Sequence, residues 1–295
     1  MSFKDLHGQP LVLKLLERWF RSGHLTGPLL FYGPESVGKR KAARELAKIL
    51  LCAENTEGQI SRFDSCGRCA PCQKIDAETF PDLTIINLAT QAAWRNEPLE
   101  KQLSLRLDTI QDARKILWKT PQQSHSKVMI LEDIHLMTPD AANVLLKTLE
   151  EPPADAMIVL LTPFRDRILS TILSRCQAIR FRSLTKAERR RLHLNDPERV
   201  SEREEAESLW EKRKNYSRAQ MLKHSEVVSS HHKKGAALDK WMSMMLEDAT
   251  EAIREGDFSS LRDAERLLKA SRSVRHRVTP GLVLDTLLLD LRKPS

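Results

Sequence analysis

Pro28-Leu29-Leu30-Phe31-Tyr32-Gly33-Pro34-Glu35-Ser36-Val37-Gly38-Lys39-Arg40 is the stretch that decides the fold. Five residues without polar alternation read as a strand buried on both faces, the kind that parallel sheets use. From Lys39 onward Ala42, Leu46, Ile49 and Leu50 fall at helical spacing. Between strand and helix lies G-x-x-x-x-G-K, in the context that gives this pattern meaning. Gly33 and Gly38 let backbone N–H groups curl around phosphates, the helix N-terminus adds positive potential, and Lys39 reaches the terminal phosphate oxygens. The next position ordinarily supplies a hydroxyl to Mg²⁺, but here it is Arg40, and a guanidinium has no lone pair for a metal. The loop therefore either binds ATP or ADP without productive Mg²⁺-dependent hydrolysis, or survives as an element of the fold.

Working outward, residues 10–22 have a helical apolar pattern. Buried-strand runs recur at Leu83–Leu88, Val128–Leu131, Met157–Leu161 and Ala178–Phe181, with helical periods around 108–118 and 139–150. Strands alternating with helices predict a parallel α/β domain over residues 1–182. After Ser183 the texture becomes dense in Glu, Lys and Arg, and Ser229–Gly235 is a polar linker. Three amphipathic helices are predicted beyond it, at 236–255, 259–274 and 280–292.

The bulk numbers agree with a helix-rich α/β chain. In 295 residues there are only 10 Gly and 5% aromatics, which weighs against many short turns and an all-β fold. The net charge of +8 is divided evenly about residue 182, so it forms no basic tail and permits nucleic-acid contact without requiring it. No apolar run approaches the roughly 20 residues of a membrane span, and the first residues lack a signal-peptide pattern, so a cytoplasmic protein is expected.

Two more motifs carry chemistry. Val128-Met129-Ile130-Leu131-Glu132-Asp133 is an apolar strand ending in two acids. In P-loop proteins such acids stand near Mg²⁺ and the attacking water, though the usual order is Asp before Glu. Cys52, Cys66, Cys69 and Cys72 have spacing for a closed Zn²⁺ site over 52–72, structural because it keeps no open coordination position. Arg62, Arg68 and Lys74 would offset its negative charge. An iron–sulfur cluster is the competing use of such spacing, but the ferredoxin run would need another Cys after three residues, followed by Pro.

Ala141-Ala142-Asn143-Val144-Leu145-Leu146-Lys147-Thr148-Leu149-Glu150-Glu151-Pro152-Pro153 resembles the signature helix and turn of bacterial clamp-loader AAA+ subunits. Thr171-Ile172-Leu173-Ser174-Arg175-Cys176 resembles the arginine-finger segment of that family, and the cysteines sit where the family carries its zinc module. The resemblance implies an AAA+ P-loop domain with a zinc module, a helical lid over 183–234 and a helical collar for oligomerisation over 235–295. It assigns Thr162 to the polar sensor position and Arg175 to a finger acting on a neighbouring subunit's ATP. Ser217-Arg218-Ala219 is a faint echo of the second sensor.

The degenerate P-loop implies the delta-prime kind of subunit in the DNA polymerase III clamp loader, rather than the ATP-hydrolysing gamma/tau kind. Its partners would be gamma/tau and delta subunits in a pentamer, the sliding clamp and primed DNA, with no membrane. It would belong to a polymerase holoenzyme while having no polymerase site and little or no ATPase of its own. An ATP-hydrolysing motor subunit is the alternative, with Lys39 on phosphate and Glu132 or Asp133 handling Mg²⁺ and water. A zinc-containing DNA-binding module is a third reading, which lacks the usual interleaving of aromatic and basic residues.

Overall fold

The computed structural model describes residues 3, 6–25, 27–56 and 63–185. Beyond them it describes 188, 242, 245–246, 248–250, 252–253, 256–257, 260–275, 286–287 and 290–291. The chain divides into two compact units, Met1–Ser183 and Leu184–Ser295.

The first unit is built on five parallel strands: β1 (Leu29–Tyr32), β2 (Leu83–Ile86), β3 (Lys127–Leu131), β4 (Ala156–Thr162) and β5 (Gln177–Arg180). Their spatial order is β2-β3-β4-β1-β5. Every residue of β3 is buried, as are all but the first of β4, because both faces of these central strands are covered. The edge strands are less covered: the first three residues of β2 are half-buried, and in β5 only Ile179 is buried. Each predicted strand is present.

Among the described residues, eight α-helices accompany the sheet: α1 (Pro10–Arg21), α2 (Lys39–Leu51), α3 (Ala53–Thr56), α4 (Ala70–Asp76), α5 (Leu88–Arg95), α6 (Leu107–Leu117), α7 (Pro139–Glu150) and α8 (Ser170–Leu173). One sheet face presents Leu30, Ile86, Met129, Leu131, Ile158 and Leu160 to Ile110, Ala113 and Leu117 of α6 and to Ala141, Leu145 and Leu149 of α7. On α2, Ala42, Ala43, Leu46 and Ile49 are buried, and the helix touches β3 and β4. The result is helices on a parallel sheet, with a core of leucine, isoleucine and valine side chains joined by Met129 and by alanines on the helices.

The run expected as a strand to Leu88 is shorter. Asn87 accepts the Thr90 N–H at 2.8 Å, capping α5 and ending β2 at Ile86. In the second unit, a helix over Ser260–Arg275 is described, with Leu267 and Ala270 buried. At its start the Ser260 hydroxyl donates to Asp257 Oδ2 at 2.8 Å. Most of the predicted lid, the linker, Ser217-Arg218-Ala219 and most of the other two collar helices lie outside the described residues. Among the described residues, no helix is long and apolar enough to cross a membrane.

Candidate functional site

All five strands run in one direction, so the loops that follow β1, β3 and β4 open on one edge of the sheet. That edge collects Gly33, Gly38, Lys39, Arg40, Glu132, Asp133 and Thr162 from three segments of the chain. Gly38 caps α2 with φ 97°. Gly33 has φ 136°, and a Cβ there would stand 2.2 Å from the Phe181 carbonyl oxygen at the exit of β5. This glycine is thus required by packing as well as by any phosphate. Gln9, 2% exposed, ties the loop down: its amide nitrogen donates to the carbonyls of Arg182 at 2.8 Å and Val37 at 3.4 Å. Its oxygen accepts the Arg182 N–H at 3.0 Å.

The charged groups at this edge are turned onto one another. The Lys39 ammonium donates to the loop's own carbonyls, Gly33 at 2.6 Å and Pro34. Arg40 Nε pairs with Glu132 Oε1 at 2.5 Å, and the other Glu132 oxygen accepts Asn87 Nδ2 at 2.9 Å. With its side chain 3% exposed, Glu132 is a buried carboxylate held by a guanidinium and an amide. Asp133 sits in the left-handed region at φ 51°; burial raises its carboxyl above the usual range, and the Glu132 charge pushes the same way. Thr162 is fully buried. Its hydroxyl accepts the Phe164 N–H at 3.1 Å and donates to the Phe164 carbonyl at 3.3 Å, so it closes its own turn. His135 meets Phe164 edge-on at 5.1 Å, and burial, with Arg167 and Lys39 nearby, pushes its pKa down to about 4.

A second cluster forms where α2 ends. Cys52 follows α2, Cys66 lies in the following loop, Cys69 caps α4 and Cys72 falls in its first turn. Their four sulfurs lie within 4.8 Å of one another, with Cys52 and Cys69 3.9 Å apart, and this set can hold a metal ion. A tetrahedral ion with bonds of about 2.3 Å places its sulfurs about 3.8 Å apart, so the residues fit. Cys66 Sγ also accepts the Cys69 N–H at 3.3 Å. The buried Lys48 ammonium on α2 donates to both Asp76 oxygens at 2.9 Å, locking α4 against α2. Phe63, just before the loop cysteine, stacks on Phe3 at 4.9 Å. Arg68 pairs with Glu54 at 3.0 Å and Lys74 donates to Gln123, while Arg62 lies outside the described residues.

Arg175 lies two residues before β5, at the sheet edge opposite the P-loop. Its Nη1 donates to the Thr171 carbonyl at 3.0 Å and the Ser174 hydroxyl at 3.3 Å, and its Nη2 pairs with Glu150 Oε1 at 2.7 Å.

The family described as "DNA polymerase III, delta subunit" matches residues 8–185. The "DNA polymerase III subunit delta'" of Bacillus subtilis is 32% identical over 265 residues, covering 84% of this chain and 74% of the relative. The protein of the same name from Pseudomonas aeruginosa is 36% identical over 147 residues, 50% of this chain and 40% of its own length. The chain belongs to the delta-prime family of DNA polymerase III subunits. A more distant relative, "DNA polymerase III subunit tau" of B. subtilis, is 31% identical over 183 residues, 62% of this chain but 29% of that protein. The parallel-sheet unit, Met1–Ser183, therefore carries nearly the whole of the family match.

Within this delta-prime-family domain, motif reading missed the partners that give the motifs their state. Asn87 and Gln9 lie 45 and 173 residues from the groups they bind, and Glu150 stands 25 residues before Arg175. Only Glu150 had a local flag, as a member of the signature helix.

Proposed function

We propose that this chain is a non-hydrolysing subunit of the clamp loader of a replicative DNA polymerase. It would help place a sliding clamp on primed DNA in a hetero-oligomer with gamma/tau- and delta-type subunits. The observation that carries the reading is the Arg40–Glu132 pair. A P-loop enzyme places a hydroxyl-bound Mg²⁺ between loop and acid, and here a guanidinium spans that gap. The motor alternative would need Arg40 to leave Glu132 and an oxygen ligand to replace it.

Arg175 is assigned as a finger acting in trans. The sheet supports this, because a four-residue strand separates its edge from the P-loop edge by about 13 Å. A phosphate reached from there belongs to another chain. Zn²⁺ is assigned to Cys52, Cys66, Cys69 and Cys72. A compact sulfur quartet suits one ion, whereas a multi-iron cluster distributes its cysteines over several irons. When bound, zinc would contribute folding energy and no open coordination position.

The purified chain is expected to show negligible ATP turnover by phosphate release. Steady turnover abolished by Lys39→Ala would overturn the non-hydrolysing reading in favour of the motor.

A further inference from the structure

Arg175 is held by three contacts, all within its own domain, although the side chain is 36% exposed. A guanidinium has five N–H donors in a rigid plane. Two contacts come from the short turn that carries it, through Thr171 and Ser174. The third, the Glu150 carboxylate, comes from a different element, the C-terminal end of the 12-residue helix α7. The partly negative end of that helix adds to the attraction for a cation. Glu150 is itself 47% exposed, and a solvent-facing pair of this kind adds little to fold stability. What the contact does supply is orientation. It fixes the plane of the guanidinium relative to the sheet while leaving N–H groups to donate outward.

We propose that Glu150 is the positioning residue for Arg175. Glu150 takes one Nη2 proton while Thr171 and Ser174 take those of Nη1, so the guanidinium plane is fixed and its Nε–H and second Nη2–H are left to meet a neighbouring subunit's γ-phosphate. The inference rests on reading Arg175 as a finger in trans. Glu150 touches no phosphate itself, and its effect passes entirely through Arg175. Preorganisation of this sort lowers the barrier of the chemical step without changing how tightly nucleotide is held.

The test uses the complete clamp-loader complex, reconstituted with wild-type, E150A, E150Q, R175A or E150A/R175A chain, and measures clamp- and primed-DNA-stimulated ATPase. E150A is expected to lower kcat about fivefold, with KM for ATP within about twofold of wild type. E150Q retains an acceptor oxygen and should lose less. The discriminating readout is the double variant: E150A/R175A should match R175A alone, because a residue that acts through Arg175 has nothing left to position. Thermal melting of the isolated E150A chain should equal wild type. A wild-type or raised kcat in E150A overturns the proposal, the raised rate marking Glu150 as a latch that restrains the arginine. A full E150A loss persisting in the R175A background also overturns it. If R175A assembles and turns over ATP at the wild-type rate, the finger reading itself fails, and the role of Glu150 falls with it.

Discussion

The P-loop edge and the cysteine cluster each gather the donors of a ligand site, yet they treat those donors differently. At the P-loop edge, cations have acids and carbonyls within reach: Arg40 takes Glu132, and Lys39 takes Gly33 and Pro34. Four sulfurs within 4.8 Å of one another can take backbone N–H groups, as Cys66 takes that of Cys69, but they offer one another no opposite charge, and thiols are weak donors. A motif of mixed charge can satisfy itself internally and outlast its ligand. A motif of like groups can instead be drawn together by an ion that all of them bind.

The largest effect that separates the two regions is expected from metal loss. Purified chain should contain one zinc, and Cys69→Ser should lower zinc content and melting temperature together. Structural zinc contributes on the order of 10 kcal/mol in small zinc domains. Elemental analysis with calorimetry checks this, and a chelated wild type that melts where the loaded protein does would break the contrast.

Next in size is Gly33→Ala. The substituted Cβ meets the backbone oxygen of Phe181, which cannot swing aside as a side chain would, so about 3 kcal/mol should be lost in urea unfolding with or without nucleotide. A variant within about 0.5 kcal/mol of wild type would show that the loop is not pinned by β5.

His135 should make the P-loop edge acid-sensitive. Its folded pKa of about 4 lies below the ordinary value of 6.5, so between these values the unfolded chain binds the extra proton. Stability contributed by neutral His135 is present above pH 6.5 and declines as pH falls toward 4, by up to about 3 kcal/mol. His135→Gln should flatten that slope in pH-dependent denaturant titrations. An unchanged slope would assign the acid sensitivity to other groups.

The smallest stability change belongs to Arg40→Ser, about 2 kcal/mol: the arginine side chain is 58% exposed, but its loss leaves the buried Glu132 carboxylate with Asn87 alone. The sharper readout is ligand response. Mg²⁺ with ATP should raise the melting temperature of the serine variant and not that of wild type. Equal responses in both would mean that Arg40 is not what closes the site.

The strands were legible because a central parallel strand must be apolar on both faces, and β3 and β4 are buried almost throughout. Helix α5 was not, since the run through Ile86 to Leu88 continues apolar around a single Asn87. It takes that residue's bond to Thr90 to turn strand into helix. Gly33, Lys39, Arg40 and Glu132 were legible as residues, because a phosphate loop and its acid need particular groups at particular spacings. The pairing of Arg40 with Glu132 was not, because nothing in a linear order says which of two nearby acids a flexible guanidinium will reach.

The sequence by itself determined the α/β class, the strand set, the four cysteines and the replacement of a hydroxyl by Arg40. These follow from local rules, the period of apolar side chains and the donor chemistry of single residues. Only the tertiary structure decided that Arg40 rests on Glu132, that Gly33 is demanded by the Phe181 carbonyl, and that Arg175 stands on the far edge of the sheet beside Glu150. Each depends on parallel strands bringing segments far apart in the chain within about 3 Å, where hard-core repulsion and charge pairing first act.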